Sequence, residues 1–359
     1  MRALLPVLFM LGLFAGSARA DILVAAQGPM KGAYGALGTA LASGTEAGVT
    51  AINAGGGING EMLAFAPADD NCDVTRAAAV ARELIARDVR LVVGPLCAAA
   101  AQAAAPLYAE AGVVMISPTI SDPGFTAGSA LTLRLAGRDD AQADLALARL
   151  ARDLPGGRVA VVGDGSPLAT ALTAKFTTAL GSRAVAFAVK AGEADYGGLI
   201  KDMGEVAAVY FAAMDPGDAG LIARQVNEAG QRPLLLGSDT LLDAAYLKAA
   251  GASASDTRVT FPADPLANPA ARAVAESLMT RGVVAEGPVL PSYAAVEVFA
   301  AAARAGKVND GAGLARWLRG AKDIATVLGP LSFDAHGDLT PPPFVWYKAA
   351  AGGFVRDSQ

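Results

Sequence analysis

From Ile22 onward, short runs of consecutive apolar residues alternate with longer stretches whose apolar residues recur at helical spacing. Residues 22–26, 63–68, 90–95 and 113–118 read as strands, and 39–54, 74–87 and 98–111 between them as helices. Runs that are apolar throughout predict strands buried on both faces, as in a parallel sheet covered by helices. Repetition of strand and helix implies right-handed crossovers and a doubly wound sheet. Gly112 and the run Gly55-Gly56-Gly57 follow predicted helices and read as their stops.

The rhythm then restarts. An extended segment at 131–135 leads into a charged helix at 139–154. Strands at 158–163, 184–189, 206–213 and 234–237 alternate with helices at 167–180, 196–204, 215–230 and 240–250. After a short run at 258–262 come three helical stretches without strands between them, at 268–282, 291–305 and 311–321. Lacking a sheet of their own, they are expected to return to the first α/β unit, so the chain crosses between units more than once. The tail, 328–338 and 343–355, reads as a hairpin or a pair of edge strands around Asp334-Ala335-His336-Gly337.

The first twenty residues stand apart. Arg2, an apolar run over 4–14 and the ending Ala18-Arg19-Ala20 form a secretory signal, which predicts cleavage after Ala20 and export to the periplasm. Eleven apolar residues reach only about 16 Å as a helix, too short for a bilayer core of about 30 Å. No cysteine follows to carry a lipid. The remaining 339 residues (359 − 20) suffice for two domains. Loss of Arg2 and Arg19 takes the net charge from −5 to −7, which argues against nucleic acid and anionic membrane surfaces as partners. Two cysteines in an exported chain, Cys72 and Cys97, read most simply as one disulfide, with two buried thiols as the alternative. The single histidine, His336, leaves no metal-ligand set, and no cofactor is implied.

Enzyme signatures are missing. Gly55-Gly56-Gly57-Ile58-Asn59-Gly60 spells G-x-G-x-x-G, but it follows a helix and opens a strand, the reverse of a dinucleotide site. There is no G-x-S-x-G elbow, S-x-x-K pair, H-E-x-x-H or Walker A loop. Carboxylate pairs occur at Asp69-Asp70 and Asp139-Asp140, the second reading as a helix start. What remains is polar residues at strand carboxyl ends: Ser117, Thr119 and Ser121, then Asp164 and Ser166, then Asp215 and Asp239. In open α/β sheets that rim binds ligands, although each such residue serves equally as a turn or helix cap.

Several segments carry a family resemblance. Gly28-Pro29-Met30-Lys31-Gly32 and 51–60 resemble the opening of type I periplasmic binding proteins. Asp69-Asp70-Asn71-Cys72-Asp73, Val93-Gly94-Pro95-Leu96-Cys97, 111–118, 328–334 and Gly337-Asp338 are similar to segments of the leucine/isoleucine/valine-binding proteins. The resemblance implies two Rossmann-like, doubly wound α/β lobes joined by a three-crossover hinge and closing on a solute. Lobe one would be 21–138 plus 262–328, and lobe two 139–261 plus 329–359. It implies a monomer that binds an amino acid or related carboxylate and delivers it to an ABC permease in the inner membrane. Carried over residue by residue, the carboxylate grip falls on Ala98, Ala99, Thr119, Ile120 and Ser121, and the carboxylate that meets the ligand ammonium on Asp239. Aromatic contacts fall on Leu168 and Met214, neither aromatic, and a Tyr-Gly contact on Leu37-Gly38, or on Tyr34-Gly35 if the loop shifts. Ala98 also lacks the family's hydroxyl at that position.

Overall fold

The computed structural model describes residues 21–306 and 310–358; the expected cleavage point after Ala20 lies outside them. Five strands form the first sheet: β1 (Ile22–Gly28), β2 (Leu63–Asp69), β3 (Val89–Val93), β4 (Val114–Ser117) and β5 (Thr132–Arg134). All pair in parallel, in the order β2-β1-β3-β4-β5. Helices α1 (Gly35–Ala54), α2 (Val74–Ala86) and α3 (Ala98–Glu110) are the crossovers. β1 and β4 are buried along their whole length, which is what continuous apolar runs require.

After α4 (Ala141–Asp153) the second unit follows. It comprises β6 (Val159–Gly163), α5 (Pro167–Leu180), β7 (Ala184–Ala188), α6 (Gly197–Met203), β8 (Ala208–Ala212), α7 (Pro216–Glu228), β9 (Leu234–Gly237), α8 (Ala244–Ala250) and β10 (Arg258–Pro262). The helix expected over 240–250 is divided. A 3-10 turn, Asp239–Leu241, is followed by α8, whose own start is capped by Asp243 accepting the Ala245 N–H.

The three late helices, α9 (Pro269–Met279), α10 (Val289–Ala305) and α11 (Gly311–Gly320), contribute Ala271, Leu278, Phe299, Leu314 and Leu318 to one core with Val24, Leu91 and Ile116 of the first sheet. The return is close. Gly44 of α1 lies so near the Val289 carbonyl that a Cβ there could not fit. The tail corrects the expectation of a 328–338/343–355 pair. β12 (Gly329–Leu331) pairs back on β11 (Ile324–Thr326), a strand too short to show a pattern, and the Thr326 hydroxyl donates to the Gly329 carbonyl. β13 (Phe344–Ala350) and β14 (Gly353–Arg356) are a hairpin of their own, and β13 lies antiparallel on β10. The second sheet therefore runs β14-β13-β10-β9-β8-β6-β7. Phe333 and Leu339 still bury in the first core, so the chain passes to the second sheet between Leu339 and Phe344, beyond residue 328.

Candidate functional site

The strand carboxyl ends of the two units face one another across a recess of about 410 Å³. Leu96, Ala98 and residues 119–123 line it from the first unit; Pro167, Leu168 and Ala171 line it from the second, with Asp139 at the crossover between them.

The start of α3 forms one wall. Cys97 stands at its N-cap with no side-chain cap bond, because its sulfur is tied to Cys72. The first intrahelical bond is made by the Ala101 N–H to the Cys97 carbonyl. The N–H groups of Ala98, Ala99 and Ala100 are thus left for an outside acceptor, at the positive end of the helix dipole. Behind them, buried Gln27 ties the layers together. Its Nε2 donates to Asp70 Oδ2 and the Ala77 carbonyl, each at 3.3 Å, and its Oε1 accepts the Tyr108 hydroxyl at 2.5 Å. Asp70 Oδ1 accepts the Cys72 N–H at 2.9 Å, so the disulfide loop is anchored from beneath.

Residues 119–126 form the second wall, held by Arg134, which is fully buried. Its guanidinium donates to Asp338 Oδ1 at 2.6 Å, to the carbonyls of Asp122 at 2.6 Å and Ile120 at 3.3 Å, and to the Thr126 hydroxyl at 3.1 Å. Ser117 Oγ accepts the Ile120 N–H at 3.0 Å, and Ser121 Oγ donates to Asp139 Oδ2 at 2.8 Å. Burial pushes the Asp139 carboxyl above its ordinary value, the Ser121 bond opposes that, and the charge of Asp239 adds to the rise.

The structure brings Ala98, Thr119, Ile120, Ser121 and Leu168 together around the recess. Ala99 is exposed on the same helix start. Leu37 is 48 % exposed and does not line it, and Met214, 2 % exposed, belongs to the second unit's core. Asp239 lies at the end of β9 and is not a lining residue; its N–H donates to Gln142 Oε1 at 2.8 Å. Burial raises its carboxyl as well. It does not cap a helix at Thr240, since it is itself the first residue of the 3-10 turn. Three rim residues are turn or cap groups: Ser166 accepts the Ala169 N–H, Asp215 those of Gly217 and Asp218, and Asp164 that of Ser166. Asp122 and Asp139 line the recess without having been singled out as site residues; Asp139 reads from sequence as helix-start charge alone.

Two α/β units whose strand ends meet across a recess, joined by repeated crossovers, define a bilobed binding protein. A profile of the periplasmic binding protein family matches residues 21–347. A Leu/Ile/Val-binding protein of Rhizobium johnstonii, BraC3, is 33% identical across 95% of both chains. An ABC transporter substrate-binding protein from Desulfitobacterium hafniense, solved with Leu, superposes with a TM-score of 0.68 at 21% identity, over 94% of this chain and 100% of its own. A solute-binding protein of R. palustris solved with 4-hydroxybenzoate gives 0.66 at 19% identity, over 94% of this chain and 96% of its own. The chain belongs to the periplasmic binding protein family. It is therefore a periplasmic binding protein, and not an enzyme.

Proposed function

We propose that the protein captures a small amino acid, branched-chain or related, in the recess between its lobes. The carboxylate rests on the N–H groups of Ala98 and Ala99 and on Thr119, Ile120 and Ser121. The ammonium is taken by Asp239, and the side chain meets Leu168. The observation that carries this reading is the uncapped helix start at Ala98 on one side of the recess with acid on the other, Asp139 in its lining and the Asp239 charge close to Asp139, matching the two poles of a zwitterion. Relatives at about one-third identity that are named as Leu/Ile/Val-binding proteins support it. On this reading the lobes are 21–138 with the segment from 262 to about 340, and 139–261 with the rest, freed from the signal after Ala20.

The apolar lining of Ala98, Leu168 and Ala171 suits an aromatic acid too, and a thermal-shift screen separates the two. At about a hundred times its Kd, a ligand that binds only the folded state adds about 2.7 kcal/mol. Leucine, isoleucine or valine should raise the melting temperature where benzoate and 4-hydroxybenzoate do not. The opposite ranking would overturn the amino-acid assignment.

A further inference from the structure

The chain's passages between the lobes touch one another at one level. Gly137, just after β5, lies so close to the Phe344 ring at the start of β13 that a Cβ there could not fit. The Ala263 N–H, just after β10, donates to the Pro343 carbonyl at 2.8 Å. The first turn of α4 rises from this level with two unlike faces. Asp139 lines the recess, whereas Ala141 and Asp144 line a second cleft, of about 140 Å³, that shares no lining residue with the first. The opposite wall of that cleft is Asp334, Asp338 and Leu339, from the segment whose Phe333 and Leu339 bury in the first core.

Arg138 stands beside this contact and holds a carboxylate on each side of it. Its Nε and Nη2 donate to Asp140 at 2.9 and 2.7 Å, and its Nη1 donates to Asp338 at 3.4 Å. The two carboxylates are anchored in different lobes. Asp338 is held to the first by fully buried Arg134 at 2.6 Å and by the Thr126 hydroxyl at 2.8 Å. Asp140 is held to the second by Lys175 of α5 at 3.3 Å, and Lys175 also pairs with Asp144 at 2.7 Å. The bidentate pair with Asp140 joins close neighbours in the chain, so it travels with α4. The single, longer contact to Asp338 is the link that spans the lobes. With the recess on one face of α4 and the cleft on the other, a rotation that narrows the recess widens the cleft. It draws Arg138, carried with α4, away from Asp338.

We propose that the Arg138–Asp338 pair opposes closure: it favours the open arrangement, and so lowers the apparent affinity for any solute captured by closing. Arg138 is a positioning residue that touches no solute. The inference rests on the lobe division given above and on no particular ligand. Salt screens the pair, so screening favours closure, whereas it weakens the attraction between the recess and a charged solute. The two effects have opposite signs, and only the first depends on Arg138.

Arg138→Gln tests the pair. Asp140 retains Lys175 and Asp338 retains Arg134, so the substitution leaves neither carboxylate alone. Pulsed electron resonance between nitroxides on Glu83→Cys of α2 and Lys201→Cys of α6, both exposed positions, reads the lobe separation without a ligand. At low salt, Arg138→Gln should raise the ratio of short to long separations by about three- to fivefold, the range that a partly exposed ion pair supports. Arg138→Lys, which keeps the charge, should recover part of the wild-type ratio. Added salt should move the wild type toward Arg138→Gln and leave that variant nearly unchanged. Lys175→Gln cuts the same network inside the second lobe and should keep the wild-type ratio. Calorimetry with leucine should show the same factor as tighter binding in Arg138→Gln, because apparent affinity scales with the population of the competent arrangement; a packing defect would weaken binding. An unchanged ratio in Arg138→Gln, a shift to longer separations, or an equal response in Lys175→Gln would overturn the proposal. Failure of leucine to bind the wild type would remove the amino-acid reading, and the label separations would still decide the role of Arg138.

Discussion

Asp338→Asn is the sharpest test of how the recess wall is held. Arg134 has no exposed side-chain surface and Asp338 has 7%, so neither charge is relieved by water when the other is lost. The carboxylate also accepts the Thr126 hydroxyl at 2.8 Å and, through Oδ2, Arg138 at 3.4 Å. Removing one partner of a buried pair costs about 3–5 kcal/mol, because the other is left buried and uncompensated. An asparagine keeps one acceptor in place and Arg138 retains Asp140, so the lower end, about 3 kcal/mol, is expected. The loss should be local to the first lobe, where Arg134 ends β5 and its N–H donates to the Gly337 carbonyl at 3.1 Å. The chain's two tryptophans separate the lobes, since Trp317 packs on the first core and Trp346 on the second. Urea unfolding followed by Trp317 fluorescence, in a Trp346→Phe background, should show the full loss. The reciprocal Trp317→Phe background should show much less at Trp346. A loss below about 1 kcal/mol at Trp317, or an equal loss at both, would refute the account of Arg134 as a buried, locally compensated cation.

Two further outcomes follow. Reduction of the Cys72–Cys97 bridge, which closes a loop of 24 residues (97 − 72 − 1), should cost about 3.5 kcal/mol on the chain-entropy estimate, read as a fall in the urea midpoint of the first lobe. Unchanged unfolding under reductant, with both thiols shown free, would contradict it. Leucine affinity should rise with pH through the acid range, as Asp239, raised above the ordinary carboxylate value by burial, loses its proton and meets the ammonium. With the opposite sign, a raised carboxyl removes stability from the ligand-free protein as pH rises. The melting-temperature gain on adding leucine should therefore widen toward neutral pH, and a constant gain from pH 4 to 7 would speak against Asp239 as the ammonium contact.

The two-sheet architecture was legible because parallel strands covered on both faces leave continuous apolar runs. β10 shows at 258–262 just as it folds. The tail was not legible. Ile324-Ala325-Thr326 has no length in which to show a period, and its partner choice rests on local bonds such as Thr326 to Gly329 and the Val327 N–H to Glu297. Ser121 was legible as a polar residue at a strand end, whereas Ala98 and Leu168 were reached through family resemblance, not through their own chemistry, for an alanine announces nothing. Asp139 carries visible chemistry, yet sequence gives it only a helix-start role. Its place in the recess rests on Ser121, whose carbonyl accepts the Asp139 N–H and whose hydroxyl donates to the Asp139 carboxylate, a contact no spacing rule encodes. Met214 follows a strand as the site residues do, but the side chain turns inward among Phe211, Leu241 and Tyr246.

The arrangement also bears on what a ligand must do to be transported. On the proposed reading the carboxylate pole lies within the first lobe, where the disulfide, Asp70, Gln27 and Tyr108 lock the start of α3. On the proposed reading the ammonium pole belongs to the second lobe and the crossover, where Gln142 binds α4 to β9 and β10. A solute shifts an equilibrium between open and closed lobes only by binding one arrangement better than the other. A solute with one pole meets the same partner at the same distance whichever arrangement the lobes adopt, so it gains little from closure. A solute with both poles satisfies them together only when the lobes approach. Selectivity for a zwitterion and the drive to close therefore have one physical source, the separation of the two poles onto different lobes, and a variant that disables either pole should lose closure together with affinity.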